Sequence, residues 1–230
     1  DGACEIIFRH GGTVDKFIGD AIMVVFNAPI PQEDHIERSV KCALELDSYC
    51  EKFRNEQNSK GIPICVTRIG IHTGSATVGN FGSQTRMDFT ALGDTVNTAA
   101  RTESVNKYFG TRIAATEEIV SKCASDLKFL PIGDIVLKGK TVAVPLYNPV
   151  SSEFFNSEYS KQYLDIYNQL RESAVESNLT SGNDDGIPNH PAGNKMIKLS
   201  RKFPNEPLAK FHANRITEGL ITTKVIMDSK

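Results

Sequence analysis

Three places in this sequence put polar groups where they could meet a phosphate ester or a metal ion. The first is VDKFIGDAIMVVF at 14–26, where Asp20 follows Gly19 between two apolar runs. A carboxylate at a hairpin tip flanked by apolar strands is held firmly and still reaches solvent. Such an oxygen suits a hard cation such as Mg²⁺, which takes oxygen ligands and usually keeps substrate phosphates in its shell. Gly-Asp is equally good turn chemistry with no ligand at all, and Lys16 taken alone is an ordinary edge cation. The second place is 68–101, RIGIHTGSATVGNFGSQTRMDFTALGDTVNTAAR, whose glycines at 70, 74, 79 and 82 let backbone approach backbone or ligand closely. Near its end Asn97 and Arg101 stand at i, i+4, so on a helix they share a face. Their neighbours Val96, Ala99 and Ala100 are small or apolar and allow close packing. On an exposed helix the same pair would simply be solvated. The third is LKGK at 137–140, a turn with two cations that by itself reads as surface.

These groups need elements to aim them. Residues 4–8 read as the second half of a helix, and 14–18 with 21–26 as a hairpin through Gly19-Asp20. A helix is predicted over 33–57, with Ile36, Val40, Ala43, Leu44 and Phe53 on one stripe. Residues 64–72 and 76–81 predict a second hairpin through Thr73-Gly74-Ser75. A short strand at 89–92 leads to Asp94, read as the cap of a helix that runs to about 108. A strand at 112–115, a short helix at 117–122 and a last hairpin of 127–137 with 142–147 complete residues 1–150. Helices alternating with hairpins predict an α+β fold with a mostly antiparallel sheet. Residues 151–230 read as a helical C-terminal extension. Tyr159, Tyr163, Ile166, Tyr167, Leu170 and Ala174 predict an amphipathic helix over 157–176. A polar, Gly/Asn/Pro-rich loop follows over 177–195, then two shorter helices split at Pro204 and Pro207.

Taken together and in order, DKFIGDAIM, GIHTGSATVGNFG, FTALGDTVNTAAR and LKGK resemble the class III nucleotide cyclase catalytic domain over about residues 1–148, most of all the homodimeric bacterial adenylate cyclases. The resemblance implies a ferredoxin-like palm, with two subunits packed head to tail around two shared active sites. It implies Asp20 as the second of two metal-binding aspartates, holding Mg²⁺ (or Mn²⁺), two per active site. Lys16 and Thr90 match the pair that reads the purine, Asn97 and Arg101 the pair that stabilises the transition state, and Lys138 the lysine that grips the terminal phosphates. The metal aspartates would come from one subunit and the other four residues from its partner. The implied reaction is conversion of ATP to 3′,5′-cyclic AMP and pyrophosphate in intracellular signal transduction. Adenine offers an acceptor ring nitrogen and a donor amine, which the donor-only Lys16 and an accepting Thr90 hydroxyl complement. Guanine presents the opposite pattern, so ATP is favoured over GTP. The animal enzymes carry Asp where Thr90 stands here. The chain also begins after the position of the family's first strand, which carries the first metal aspartate. By itself it is therefore expected to be nearly inactive and prone to aggregate along an unpaired edge near Ile18 and Val24.

Composition bounds the alternatives. With 26 basic and 28 acidic side chains there is no basic excess to argue for nucleic acid, and there is no apolar run long enough for a membrane segment in this chain. Five cysteines without a Cys-x-x-Cys pair fit a reducing, cytoplasmic setting, which could be the cytoplasmic part of a membrane-anchored sensor. Neither G-x-G-x-x-G at a strand–helix junction nor G-x-x-x-x-G-K-[ST] is present. The alternatives are a non-catalytic cyclase-like dimerisation or regulatory module, and guanylate cyclase activity. A diguanylate cyclase would need Gly-Gly-(Asp/Glu)-Glu-Phe where this chain reads Ile18-Gly19-Asp20-Ala21.

Overall fold

The structure, a computed structural model, describes residues 1–124, 126–176 and 190–227. In chain order the elements are α1 (Gly2–Arg9), β1 (Thr13–Ile18), β2 (Ala21–Val25), α2 (His35–Ser59), β3 (Ile69–Ile71), β4 (Thr77–Gly82), β5 (Met87–Leu92), α3 (Asp94–Phe109), β6 (Ile113–Thr116), α4 (Glu117–Val120), β7 (Lys128–Val136), β8 (Val144–Val150), α5 (Ser152–Phe155), α6 (Glu158–Glu176), α7 (Pro191–Lys202), α8 (Pro207–Thr217) and β9 (Lys224–Ile226). Five strands form one sheet in the order β3-β6-β8-β7-β9, while β1-β2 and β4-β5 are separate antiparallel hairpins.

Strand alternation explains the layers. On β6, Ile113 and Ala115 join Ile36, Val40 and Ala43 of α2 and Ile119 of α4, whereas Ala114 joins Val105 and Phe109 of α3. Successive side chains leave a strand on opposite faces, so this short apolar run serves two layers. A third, smaller cluster sets Ile6 and Ile7 of α1 against Cys42 of α2 and against Val14, Ile22 and Val24 of the first hairpin.

The helices after residue 150 enter the largest of these clusters. Tyr163, Ile166, Met196, Leu208 and Ile216 are buried with Leu130, Ile132, Ile135 and Leu146 of the sheet. The Tyr163 hydroxyl donates to the Pro131 carbonyl at 2.8 Å, and β9 returns to pair in parallel with β7. The α6 helix and the two Pro-started helices after it follow the predicted periodicity. In the region expected as a loop, 177–189 lie outside the described residues, and α7 has already begun at Pro191. The short α5 and the strand β9 had no clear sequence signal.

Several local expectations are corrected. No hairpin joins 64–72 to 76–81: β3 is only Ile69–Ile71 and pairs in parallel with β6, while β4 pairs with β5. The closer turn wins, with Ser83 N–H bonded to the Arg86 carbonyl at 2.7 Å, because short loops cost little closure entropy. The expectation of a mostly antiparallel sheet holds, with β6/β8 and β7/β8 antiparallel and the β3/β6 and β7/β9 pairings parallel. Asp94 is not a cap: Gly93 occupies that position and Asp94 is the first helical residue. Phe53 lies off the buried stripe and is exposed, near Tyr49.

The five cysteines are unpaired. No helix among the described residues is long and apolar enough to cross a membrane. Ile18 is exposed on β1, as are Ile62, Ile64 and Val66 ahead of the edge strand β3.

One buried group makes the joint between α8 and the sheet sensitive to pH. His212 is 2% exposed, stands edge-on to Tyr167 and Phe211, and its Nε2 lies 2.9 Å from the Ile132 carbonyl. A neutral ring donates that bond. Burial pushes the imidazole down from 6.5 to about 4. Between those values the unfolded chain binds the extra proton and the folded chain does not, so stability falls as pH drops through the window. At pH 5 the loss relative to pH 7.5 is about 2 kcal/mol. Urea denaturation of the wild type and of His212→Gln at both pH values should show this loss as the difference between their pH dependences.

Candidate active site

The first hairpin is built to offer two side chains inward. Gly19 has φ 63, the positive angle that two-residue hairpin turns require at their first central position. The strands pair Ile18↔Ala21, Phe17↔Ile22 and Lys16↔Met23, but Val14 pairs with Val24, so Asp15 is an extra residue in a β-bulge. In a regular strand Asp15 and Lys16 would point to opposite faces. A bulge re-aims a side chain, and here both reach Thr90 of β5. Lys16 Nζ donates to Thr90 Oγ1 at 2.9 Å, Thr90 Oγ1 donates to Asp15 Oδ2 at 2.5 Å, and Ala91 N–H donates to the same oxygen at 3.3 Å. The Asp15 side chain is 3% exposed and lies 3.4 Å from the Lys16 ammonium through Oδ1. Thr90 is also buried, at 6% exposure.

The helix α3 is set by a close approach. A Cβ on Gly70 would lie 2.2 Å from the Glu103 backbone nitrogen and 2.4 Å from the Ala99 carbonyl oxygen, so only glycine lets β3 lie this near the helix. The fully buried Asn106 completes the joint: its Nδ2 donates to the Ile69 carbonyl at 3.0 Å, and its Oδ1 accepts from Thr111 at 2.7 Å. At the other end, Asp94 forms an ion pair with Lys140 of the turn between β7 and β8. That Lys140 hydrogen bond holds the Asp94 carboxyl below the usual carboxylate range. Arg101 lies against the same turn, since a Cβ on Gly139 would stand 3.5 Å from its Nη2.

The structure therefore brings the predicted residues together in two groups: Lys16 with Thr90, and Arg101 with the turn that carries Lys138. Asn97 and Lys138 are exposed, and among the described residues their side chains make no hydrogen bond. Asp20 is exposed at its hairpin tip, and no hydrogen bond or ion pair joins it to any of the others. Sequence reasoning passed over Asp15, Asn106 and the Asp94–Lys140 pair. An aspartate inside an apolar strand run was the one available cue for Asp15.

A family profile described as "Adenylate and Guanylate cyclase catalytic domain" matches residues 6–148. The chain belongs to this family. It is similar to Adenylate cyclase 1 of Rhizobium meliloti (strain 1021), with 40% identity over 146 residues, 64% of this chain and 22% of the relative. It is 33% identical to an adenylate cyclase of Anabaena cylindrica over 150 residues, 62% of this chain and 29% of that one. The chain thus spans less than a third of either relative. Among solved structures it resembles the adenylyl cyclase CyaB from P. aeruginosa at TM-score 0.60 and 33% identity, covering 66% of this chain and 78% of that one. It also resembles the guanylate cyclase domain of RhGC from Catenaria anguillulae in complex with GTP, at TM-score 0.56 and 27% identity, covering 65% and 78%.

This cyclase domain presents Asp20 as a single carboxylate whose oxygens suit Mg²⁺ or Mn²⁺. No group of three or more His, Cys, Asp or Glu gathers as a metal set among the described residues. One ligand fits; a complete two-ion set is not assembled by them.

The Gly70 contact yields a direct test of how α3 is held. Gly70→Ala forces backbone apart rather than a flexible side chain, and overpacking of this kind costs typically about 1–3 kcal/mol or more. We expect a lower urea midpoint with an unchanged m-value, whereas Gly79→Ala, which meets nothing within 4 Å, should cost far less.

Proposed function

We propose that this chain is the catalytic domain of an adenylate cyclase that converts ATP to 3′,5′-cyclic AMP and pyrophosphate at sites shared between two identical subunits. The observation that carries the reading is the Lys16–Thr90 contact at 2.9 Å, a donor-only ammonium beside a buried hydroxyl. On adenine, Lys16 meets the acceptor ring nitrogen and Thr90 the exocyclic amine.

The reaction is an in-line attack of the ribose 3′-hydroxyl on the α-phosphorus. Asn97, exposed on the outer face of α3, orients the ribose through its amide. Arg101 meets the charge that grows on the phosphoryl oxygens, where a fixed guanidinium is most effective. Lys138 supplies a point charge to the departing pyrophosphate, and the Asp94–Lys140 pair holds its turn against α3. Asp20 would hold Mg²⁺ or Mn²⁺ through a carboxylate oxygen, and the ion would supply polarisation of the nucleophile and the phosphate oxygens. That no hydrogen bond or ion pair joins Asp20 to Arg101 or Lys138 supports a homodimer, in which the metal ligands of one subunit face the phosphate-binding residues of the other. Unpaired cysteines and an ATP substrate support a cytoplasmic location.

Two measurements test this on the full-length protein. Arg101→Ala and Asn97→Ala should each lower kcat about 10²–10³-fold with a smaller change in KM. An equal loss in binding would make them ground-state ligands instead. Mixing Asp20→Ala with Asn97→Ala protein, each strongly impaired alone, should raise cyclic AMP formation well above either variant through one intact site per heterodimer; no recovery on subunit exchange would rule out shared sites.

A further inference from the structure

A hydroxyl both donates and accepts, so Lys16 and Thr90 alone do not commit the pocket to adenine. Thr90 could turn its proton toward the carbonyl oxygen that guanine carries where adenine carries an amine. We propose that Asp15 is a specificity-determining positioning residue: by taking the Thr90 proton, it leaves the Thr90 oxygen able only to accept. This rests on the adenylate cyclase reading above and assigns part of its base preference to a residue that does not touch the base.

The geometry supplies each step. Thr90 has one proton, and it goes to Asp15 Oδ2 at 2.5 Å. The Ala91 N–H fixes that carboxylate oxygen from a second direction. Asp15 is nearly fully buried, and its other oxygen takes no hydrogen bond while lying 3.4 Å from the Lys16 ammonium. Every hydrogen-bond or ion-pair partner of the carboxylate among the described residues is thus a donor or a cation. The remaining lone pairs of Thr90 receive Lys16 and stay open to one further donor. An exocyclic amine satisfies that position. A carbonyl oxygen would set acceptor against acceptor with no proton between them, at a hydroxyl that is largely buried. The bulge at Asp15 makes the arrangement possible, because it turns two consecutive side chains toward one hydroxyl.

The test compares ATP with GTP in the full-length protein. Preference is read as the ratio of kcat/KM values, and independently as the ratio of Kd values for 3′-deoxy-ATP and 3′-deoxy-GTP, which cannot cyclise. Asp15→Ala, and Asp15→Leu, which refills the space, should lower the ATP preference about 10-fold or more as the Thr90 proton becomes free to serve guanine. Asp15→Asn, whose amide oxygen still accepts that proton, should keep the preference. In a Thr90→Val background the Asp15→Ala change should no longer alter the ratio, because its route of action is gone. Equal losses for both nucleotides, or failure of both Asp15→Ala and Asp15→Leu to fold, would assign Asp15 to structure alone and overturn the proposal. A wild type that binds with the expected preference but forms no cyclic nucleotide would instead sink the cyclase reading.

Discussion

One buried carboxylate ties together parts of the molecule that no sheet connects. The β1-β2 and β4-β5 hairpins pair only within themselves. Asp15 reaches from the first to the hydroxyl of Thr90 and the N–H of Ala91 on the second. Taking an aspartate out of water is costly unless its oxygens are answered, so the link holds only while Thr90 and Lys16 stay where they are. In the proposed reading, stability and base recognition draw on the same few atoms, and a substitution there acts on both.

The second constraint is the near contact of α3 with β3 at Gly70. With no side chain between them, helix backbone lies on strand backbone, and the buried Asn106 fastens the joint by hydrogen bonds to Ile69 and Thr111. Arg101 is thereby carried on a rigid element toward the Lys138–Lys140 turn, which Asp94 grips through Lys140. For the proposed role of Arg101 this mounting matters, because a cation that meets growing phosphoryl charge helps only if it is already in place when that charge develops. The extension buttresses this arrangement from behind: Phe211 and Leu208 of α8 pack with Phe109 at the end of α3, and His212 bonds to the β7 carbonyl of Ile132.

Much of this was legible in the residues themselves. The Gly19-Asp20 turn, the helix bearing Asn97 and Arg101, the LKGK turn and the tyrosine-lined helix after 157 rest on local spacing and turn chemistry, and the structure forms each of them. Ordered together, the motifs also named the family, and the profile matching residues 6–148 agrees. The Lys16–Thr90 pairing was expected only through that resemblance, since 74 residues separate the two in sequence.

What tertiary structure alone settled is where partners are distant or register is irregular. The segment before residue 76 looked like half of a hairpin, yet β3 pairs instead with β6, because the bare backbone of Gly70 fits beneath α3. Asp94 looked like a helix cap, but its carboxylate answers Lys140, which lies 46 positions further along the chain. Asp15 carried almost no signal. A period-2 reading places it on the face opposite Lys16, and only the bulge reverses that. Local sequence encodes turns, periodicity and charge. Which hydroxyl a carboxylate meets depends on a one-residue slip in strand pairing, and that slip is set by packing between segments that the sequence holds far apart.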